Sequence, residues 1–137
     1  MAHTPHLAGE DMLDVLASRN VNVSALPWKP TPAPGIDMKI LMEEKETGLL
    51  TAIFRWAPGS ELSYHEHVEI EQSYVLEGEF EDDEGVYTQG NFVWRPKGNR
   101  HIARSPKGCV LLCFFLKPNK FIGGKQDGVQ FKSGLQP

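Results

Sequence analysis

Basic charge is in deficit, cysteine is nearly absent, and no apolar run is long. With 14 Lys and Arg against 18 Asp and Glu, a net charge of -4 and a pI near 5.7, the chain offers no electrostatic footprint for nucleic acid. Small neutral or weakly anionic ligands stay open. No segment reaches the roughly twenty apolar residues of a membrane span, and the first residues lack the basic and apolar regions of a secretory signal. A cytoplasmic protein without a membrane partner is therefore expected. The two cysteines, Cys109 and Cys113, lie four apart in CVLLC. In a strand that spacing is about 13 Å, too far for a disulfide. Their apolar neighbours make them reduced, buried packing residues.

What is present suits one small β-domain. A chain of 137 residues buries roughly two thirds of its unfolded surface without a metal or a disulfide, so any metal bound is functional rather than structural. Thirteen glycines and ten prolines fit many short strands and turns. Residues 1–34 read as an irregular arm: Met12, Leu13, Val15 and Leu16 suggest one side of a short helix, and the prolines of SALPWKPTPAPG favour an extended connector with Trp28 as its anchor. His3 and His6 are expected to be solvated on a frayed end. Residues 35–118 read as strands and turns. Ile36 to Glu43 and LLTAIFRW look like a pairing couple, EDDEG like a solvated acidic turn without calcium-loop spacing, and NFVWRP and RHIARS like strands either side of a PKGN turn. GCVLLCFFLK, the most apolar run, reads as a strand buried on both faces. Residues 119–137 form a glycine-containing tail.

Chemistry concentrates in SYHEHVEIEQSYVLEGEF. Strand alternation turns His65 and His67 to one side, about 7 Å apart, with Glu66 outward, so two imidazoles can reach one ion. Bonds to such an ion are about 2.0 to 2.2 Å long. Glu71 would lie roughly 13 Å past His67 on a straight strand. A reversal at Val68, Glu69 and Ile70 is thus expected, placing Glu71 on an antiparallel neighbour that faces the histidines. Glu69 is the rival ligand. His101, at the start of a later strand, is the candidate fourth. Three imidazoles and one carboxylate suit iron(II) or zinc, with manganese, nickel and copper also admissible, rather than calcium or magnesium.

These spacings resemble the two motifs of the cupin superfamily. Gly59, His65, Glu66, His67, Glu71 and Gly78 match the first, and Gly90, Pro96, Lys97, Gly98 and His101 the second, with Ser105 where asparagine is usual. Within the superfamily, YVLEGEFEDDEGVYTQGNFVWRPKGNRH followed by SPKGC is similar to the ChrR-like group, which includes the cupin half of zinc-binding anti-sigma factors and small dioxygenases related to acetylacetone and dihydroxyacetophenone dioxygenases. The resemblance implies an all-β, single-domain jelly-roll barrel with His65, His67, Glu71 and His101 as metal ligands, Glu71 being preferred to Glu69 by the step to Gly78. It also implies an iron(II)-dependent dioxygenase cleaving a carbon-carbon bond in a small diketone or hydroxyketone, working as a homodimer. Phe54, Trp56, Phe92 and Trp94 are candidate pocket walls, and Arg55, Arg95, Arg104 and Tyr64 candidate partners for an anionic intermediate. Two other readings stand beside this one. The first is a non-catalytic zinc cupin that senses a small molecule or redox change, although the chain has no room for the separate helical zinc domain of the anti-sigma factors. The second is a non-redox metal-dependent isomerase.

Overall fold

A computed structural model describes residues 1–122; most of the tail expected at 119–137 lies outside the described residues. Among the described residues ten strands are present: β1 (Lys29–Pro30), β2 (Ile36–Glu44), β3 (Leu49–Trp56), β4 (Ser60–Glu66), β5 (Glu71–Asp82), β6 (Gly85–Thr88), β7 (Phe92–Arg95), β8 (Arg100–Ser105), β9 (Cys109–Phe115) and β10 (Lys120–Phe121). They form one curled antiparallel sheet in the order β1-β2-β3-β9-β5-β8-β4-β10, with β6 and β7 attached to β5. The expected all-β cupin architecture is what is found. Alternating strands supply the inward face: Ile36, Met38 and Ile40 from β2, Ala52, Phe54 and Trp56 from β3, and Leu111 and Cys113 from β9 are all buried.

The curl depends on β5, which is long enough to serve two sets of neighbours. Its first half lies between β7 and β9, and its second half pairs with β6 and touches β8. A bulge between Val75 and Glu77 inserts one residue and reverses the phase of the side chains. Glu71, Ser73 and Val75 are therefore buried before it, and Phe80 and Asp82 after it. Next to the bulge Gly78 has φ 70°, and a Cβ there would stand 2.3 Å from the carbonyl oxygen of Gly108, so only glycine lets the two backbones meet.

Several local expectations change. Among the described residues there is no α-helix: Glu10–Met12 is a single 3-10 turn, and Met12, Val15 and Leu16 are exposed because no core surface lies beneath them. The N-terminus is tied down rather than frayed. His3 exchanges two 2.8 Å backbone hydrogen bonds with Glu43, and its Nε2 lies 2.9 Å from the buried Glu43 carboxylate. Trp28 does anchor the arm, its ring packed against Lys39 and Arg55 on the outer face of β2 and β3. The strand of the most apolar run, β9, is central, yet only Cys109, Leu111 and Cys113 are buried; Phe114 on the opposite face is half-exposed.

Candidate metal centre

Three imidazoles from two neighbouring strands meet inside the curl. His65 of β4 pairs in register with His101 of β8. A bulge between Leu62 and His65 lets both of those residues face inward although they are three apart. His67 follows the end of β4, and its backbone is clipped to the turn before β8: its N–H donates to the Asn99 carbonyl and its own carbonyl accepts from Gly98, both at 2.8 Å. The glycine and proline cluster thus holds His67 and launches the strand carrying His101. One possible ligand atom from each of His65, His67 and His101 lies within 4.8 Å of the others, the one such metal-competent group among the described residues.

Hydrogen bonds on the far side of the rings set which nitrogens converge. His65 Nδ1 lies 2.8 Å from the Ser63 carbonyl and His101 Nδ1 lies 2.7 Å from Asp82 Oδ2. Both acceptors require N–H at Nδ1, which leaves each Nε2 as a lone pair. His67 Nε2 faces His101 Nε2 at 3.0 Å. One proton at most fits between those two atoms, and the buried Nδ1 of His67 makes no hydrogen bond. A divalent ion would use all three Nε2 lone pairs and leave His67 Nδ1–H facing Glu71 Oε2, 3.4 Å away. The residues present therefore fit a metal. Burial, reinforced by neighbouring charge, keeps the rings neutral: His65 titrates at about 3, depressed by desolvation and the other two histidines, and His67 and His101 at about 4, depressed by desolvation and then by Arg95. Neutral imidazole is the ligating form.

Glu71 is buried beside this cluster, with Oε2 behind the His67 ring, but it is not one of the three residues whose ligand atoms converge, and it does not share a strand pair with them. β4 pairs with β8 and β10, while β5 pairs with β7 and β9, so the expected hairpin is replaced by a crossing between the two halves of the curl. Residues 67–70 make that crossing because His67 is held by the Gly98–Asn99 turn and not by a partner strand. Burial raises the Glu71 pKa, opposed by the nearby histidine and the Ser73 hydroxyl. Glu69 points elsewhere and pairs with Lys97 at 3.1 Å.

Sequence reasoning missed Asp82, Asn119 and the role of Arg95. Asp82 was expected in a solvated turn. Instead it is buried and receives His101 Nδ1, the Tyr87 hydroxyl at 2.7 Å and Arg95 Nη1 at 2.7 Å. Desolvation would raise its pKa, but the bonds from Tyr87 and His101 prevail and hold it at about 2. It is an ionised carboxylate orienting His101, an arrangement that raises the basicity of a metal-competent imidazole. Arg95 is fully buried, stacked on Tyr87 and Phe80. Asn119 is buried and reaches His67 and Glu71.

A cavity of about 40 Å³ opens onto the cluster. Its polar lining is His65, His101, Glu71 and Asn119; Phe54, Trp56, Leu62, Leu111 and Phe115 supply apolar wall, and Cys113 a thiol. Phe54 and Trp56 occupy the positions expected of them. Phe92 and Trp94 do not: both are more than half exposed on the outer face of β7. Arg55 pairs with Asp37 and Arg104 with Glu81 away from the cavity, and Tyr64 is on the surface.

Comparison with known proteins agrees with this architecture. No curated protein matches the chain significantly. An acetylacetone dioxygenase from Acinetobacter johnsonii superposes with a TM-score of 0.74 at 22% identity, over 88% of this chain and 89% of that one. An RmlC-like cupin from Ralstonia eutropha gives 0.72 at 17%, over 82% and 77%. The anti-sigma factor ChrR of Rhodobacter sphaeroides, solved with SigE, gives 0.58 at 19%, over 68% of this chain and 51% of that one. At these identities the likenesses establish the fold. The family model of the ChrR cupin-like domain matches residues 17–119, and the chain belongs to that family.

Proposed function

We propose that this protein is a metal-dependent dioxygenase that cleaves a carbon-carbon bond in a small neutral diketone or hydroxyketone, with His65, His67, His101 and Glu71 holding one divalent ion. The carrying observation is the small, largely apolar cavity that ends on the neutral imidazoles of His65 and His101, with His67 beside them. About 40 Å³ is room for roughly three waters, which suits a ligand of few atoms. No lysine or arginine lines it, so a substrate carboxylate would meet Glu71 without a compensating cation. Iron(II) is the preferred ion for this chemistry and zinc the other leading candidate. When bound, iron supplies Lewis acidity toward the two substrate oxygens and electrons for dioxygen. The chain's own residues do the rest: Asp82 orients His101, Asn119 offers an amide to the site, and Phe54, Leu111 and Phe115 exclude water around the reacting carbons.

Metal analysis of protein purified without added metal, followed by oxygen uptake with iron-loaded protein and a panel of small diketones and hydroxyketones, tests this. Uptake stoichiometric with cleavage product supports it. Tightly held zinc with no turnover supports the reading as a zinc-binding sensor, which the shared family with ChrR favours as second choice.

A homodimer is part of the proposal. Strand register sets Trp94, Gln72 and Phe114 side by side on the outer face, and Phe92, Tyr74 and Leu112 in the next row. The arm covers the charged half of this face, at Lys39 and Arg55, and leaves the aromatic half bare. An uncharged patch meets its own copy without like-charge repulsion, and Gln72 can both donate and accept across a twofold axis.

A further inference from the structure

Resting on the reading of His101 as a metal ligand, we propose that Arg95 and Tyr87 are positioning residues that act through Asp82 to hold the ring proton of His101 at Nδ1 and so keep Nε2 open for the ion. The buried Asp82 carboxylate receives five donors: His101 Nδ1 and Arg95 Nη1 on Oδ2, both at 2.7 Å, and on Oδ1 the Tyr87 hydroxyl at 2.7 Å with the backbone N–H groups of Glu84 and Gly85 at 2.8 and 3.2 Å. Proton counting fixes the directions. A guanidinium only donates, so the Tyr87 oxygen accepts from Arg95 Nη1, 3.2 Å away, and its single proton goes to Asp82. An ionised carboxylate only accepts, so the proton between Asp82 and His101 belongs to Nδ1. The rival arrangement is a neutral Asp82 that takes one proton from solvent and donates it to Nδ1, which moves the ring proton to Nε2, the atom 3.0 Å from His67 Nε2. That tautomer has no lone pair to offer at Nε2. Arg95 opposes it by charge: buried with Asp82 and stacked on Tyr87 and Phe80, the guanidinium would lose its closest counter-charge. Tyr87 opposes it because a hydrogen bond to an anionic oxygen is stronger than one to a carbonyl. Strand pairing supplies both residues, with Arg95 of β7 opposite Glu71 and Tyr87 of β6 opposite Phe80, all along β5.

Nitrogen NMR of the imidazole rings in metal-free protein at neutral pH reads the tautomer of His101, and zinc affinity by chelator competition reads its consequence. The wild-type ring should carry its proton at Nδ1. Tyr87→Phe, which keeps the aromatic ring against Arg95 and removes the hydroxyl, should admit a measurable share of the Nε2–H form and weaken zinc binding about tenfold. Arg95→Met should make that form the major one and weaken binding about 10- to 100-fold; Tyr87→Phe carries the test alone should Arg95→Met fail to fold. In an Asp82→Ala background Tyr87→Phe should have no further effect on affinity. Loss of packing alone would lower the melting temperature without moving the ring proton, so the tautomer separates positioning from folding. Wild-type His101 protonated at Nε2 overturns the inference, and a folded variant that keeps the wild-type tautomer overturns it for the residue replaced. A shifted tautomer with undiminished zinc affinity overturns the link to the ion. Wild-type protein that binds no zinc overturns the metal reading, while the place of the ring proton still decides the roles of Arg95 and Tyr87.

Discussion

Stripped of metal, the protein is expected to lose stability steeply between about pH 7 and about pH 5. In the folded chain His65 titrates at about 3, and His67 and His101 at about 4; unfolded, each returns to about 6.5. The unfolded state therefore binds three protons where the folded state binds almost none, and acid favours unfolding. Each imidazole costs roughly 2 kcal/mol at about pH 5. Together they cost on the order of 6 kcal/mol, comparable with the whole stability of a domain, about 5–15 kcal/mol. Glu71 works the other way, since a raised carboxyl pKa is relieved by acid, but one carboxyl does not cancel three rings. Asp82 contributes nothing in this window: its pKa is lowered to about 2 from 3.8, so its stabilisation is present above the latter value and is lost only on further acidification. Urea unfolding of EDTA-treated protein, followed by tryptophan fluorescence, reads the effect. With a slope of about 2 kcal/mol per molar, the midpoint should fall by roughly 2 M or more between the two pH values. Bound metal should suppress the fall, and His101→Gln should remove about a third of it. A metal-free midpoint that moves by less than roughly 0.5 M would refute the argument that these rings are buried neutral.

Asp82→Ala should weaken metal binding by about 10- to 100-fold and lower the melting temperature of the metal-free protein, because it leaves Arg95 buried without its closest carboxylate; chelator competition and calorimetry check the two effects. Ala103→Phe, which places a ring in the cavity, should abolish diketone-dependent oxygen uptake while metal content measured by emission spectroscopy stays at wild-type level. Trp94→Glu combined with Phe114→Glu should convert the proposed dimer to monomer in light scattering, with the metal content retained. Cys109 and Cys113, both buried and free and with pKa values raised by desolvation, should react with a disulfide reagent only after unfolding.

The strand pattern and the histidines were legible in the sequence for a simple reason: alternation and glycine or proline punctuation are local, and so is the His65–His67 spacing. What escaped was phase. Counting by twos from Glu71 sends Asp82 outward, and only the extra residue between Val75 and Glu77 turns it in. The same limit affected the aromatic residues. Phe54, Trp56, Phe92 and Trp94 share a chemistry, yet which face of a strand each occupies depends on neighbours distant in the chain. The crossing of residues 67–70 escaped because the partner that holds His67 is a turn some thirty residues on, at Gly98 and Asn99. Asn119 carried no signal, lying outside both spaced motifs.

The clip between His67 and the Gly98–Asn99 turn has a bearing on how the proposed ion would be selected. One short segment of backbone sets the separation of His67 from His101, and the ladder between β4 and β8 sets that of His65 from His101. Both ties are backbone hydrogen bonds, so the chain's own pairing places the three rings. For the proposed ion, discrimination among zinc, iron, manganese, nickel and copper would then fall to the rigidity of that backbone frame.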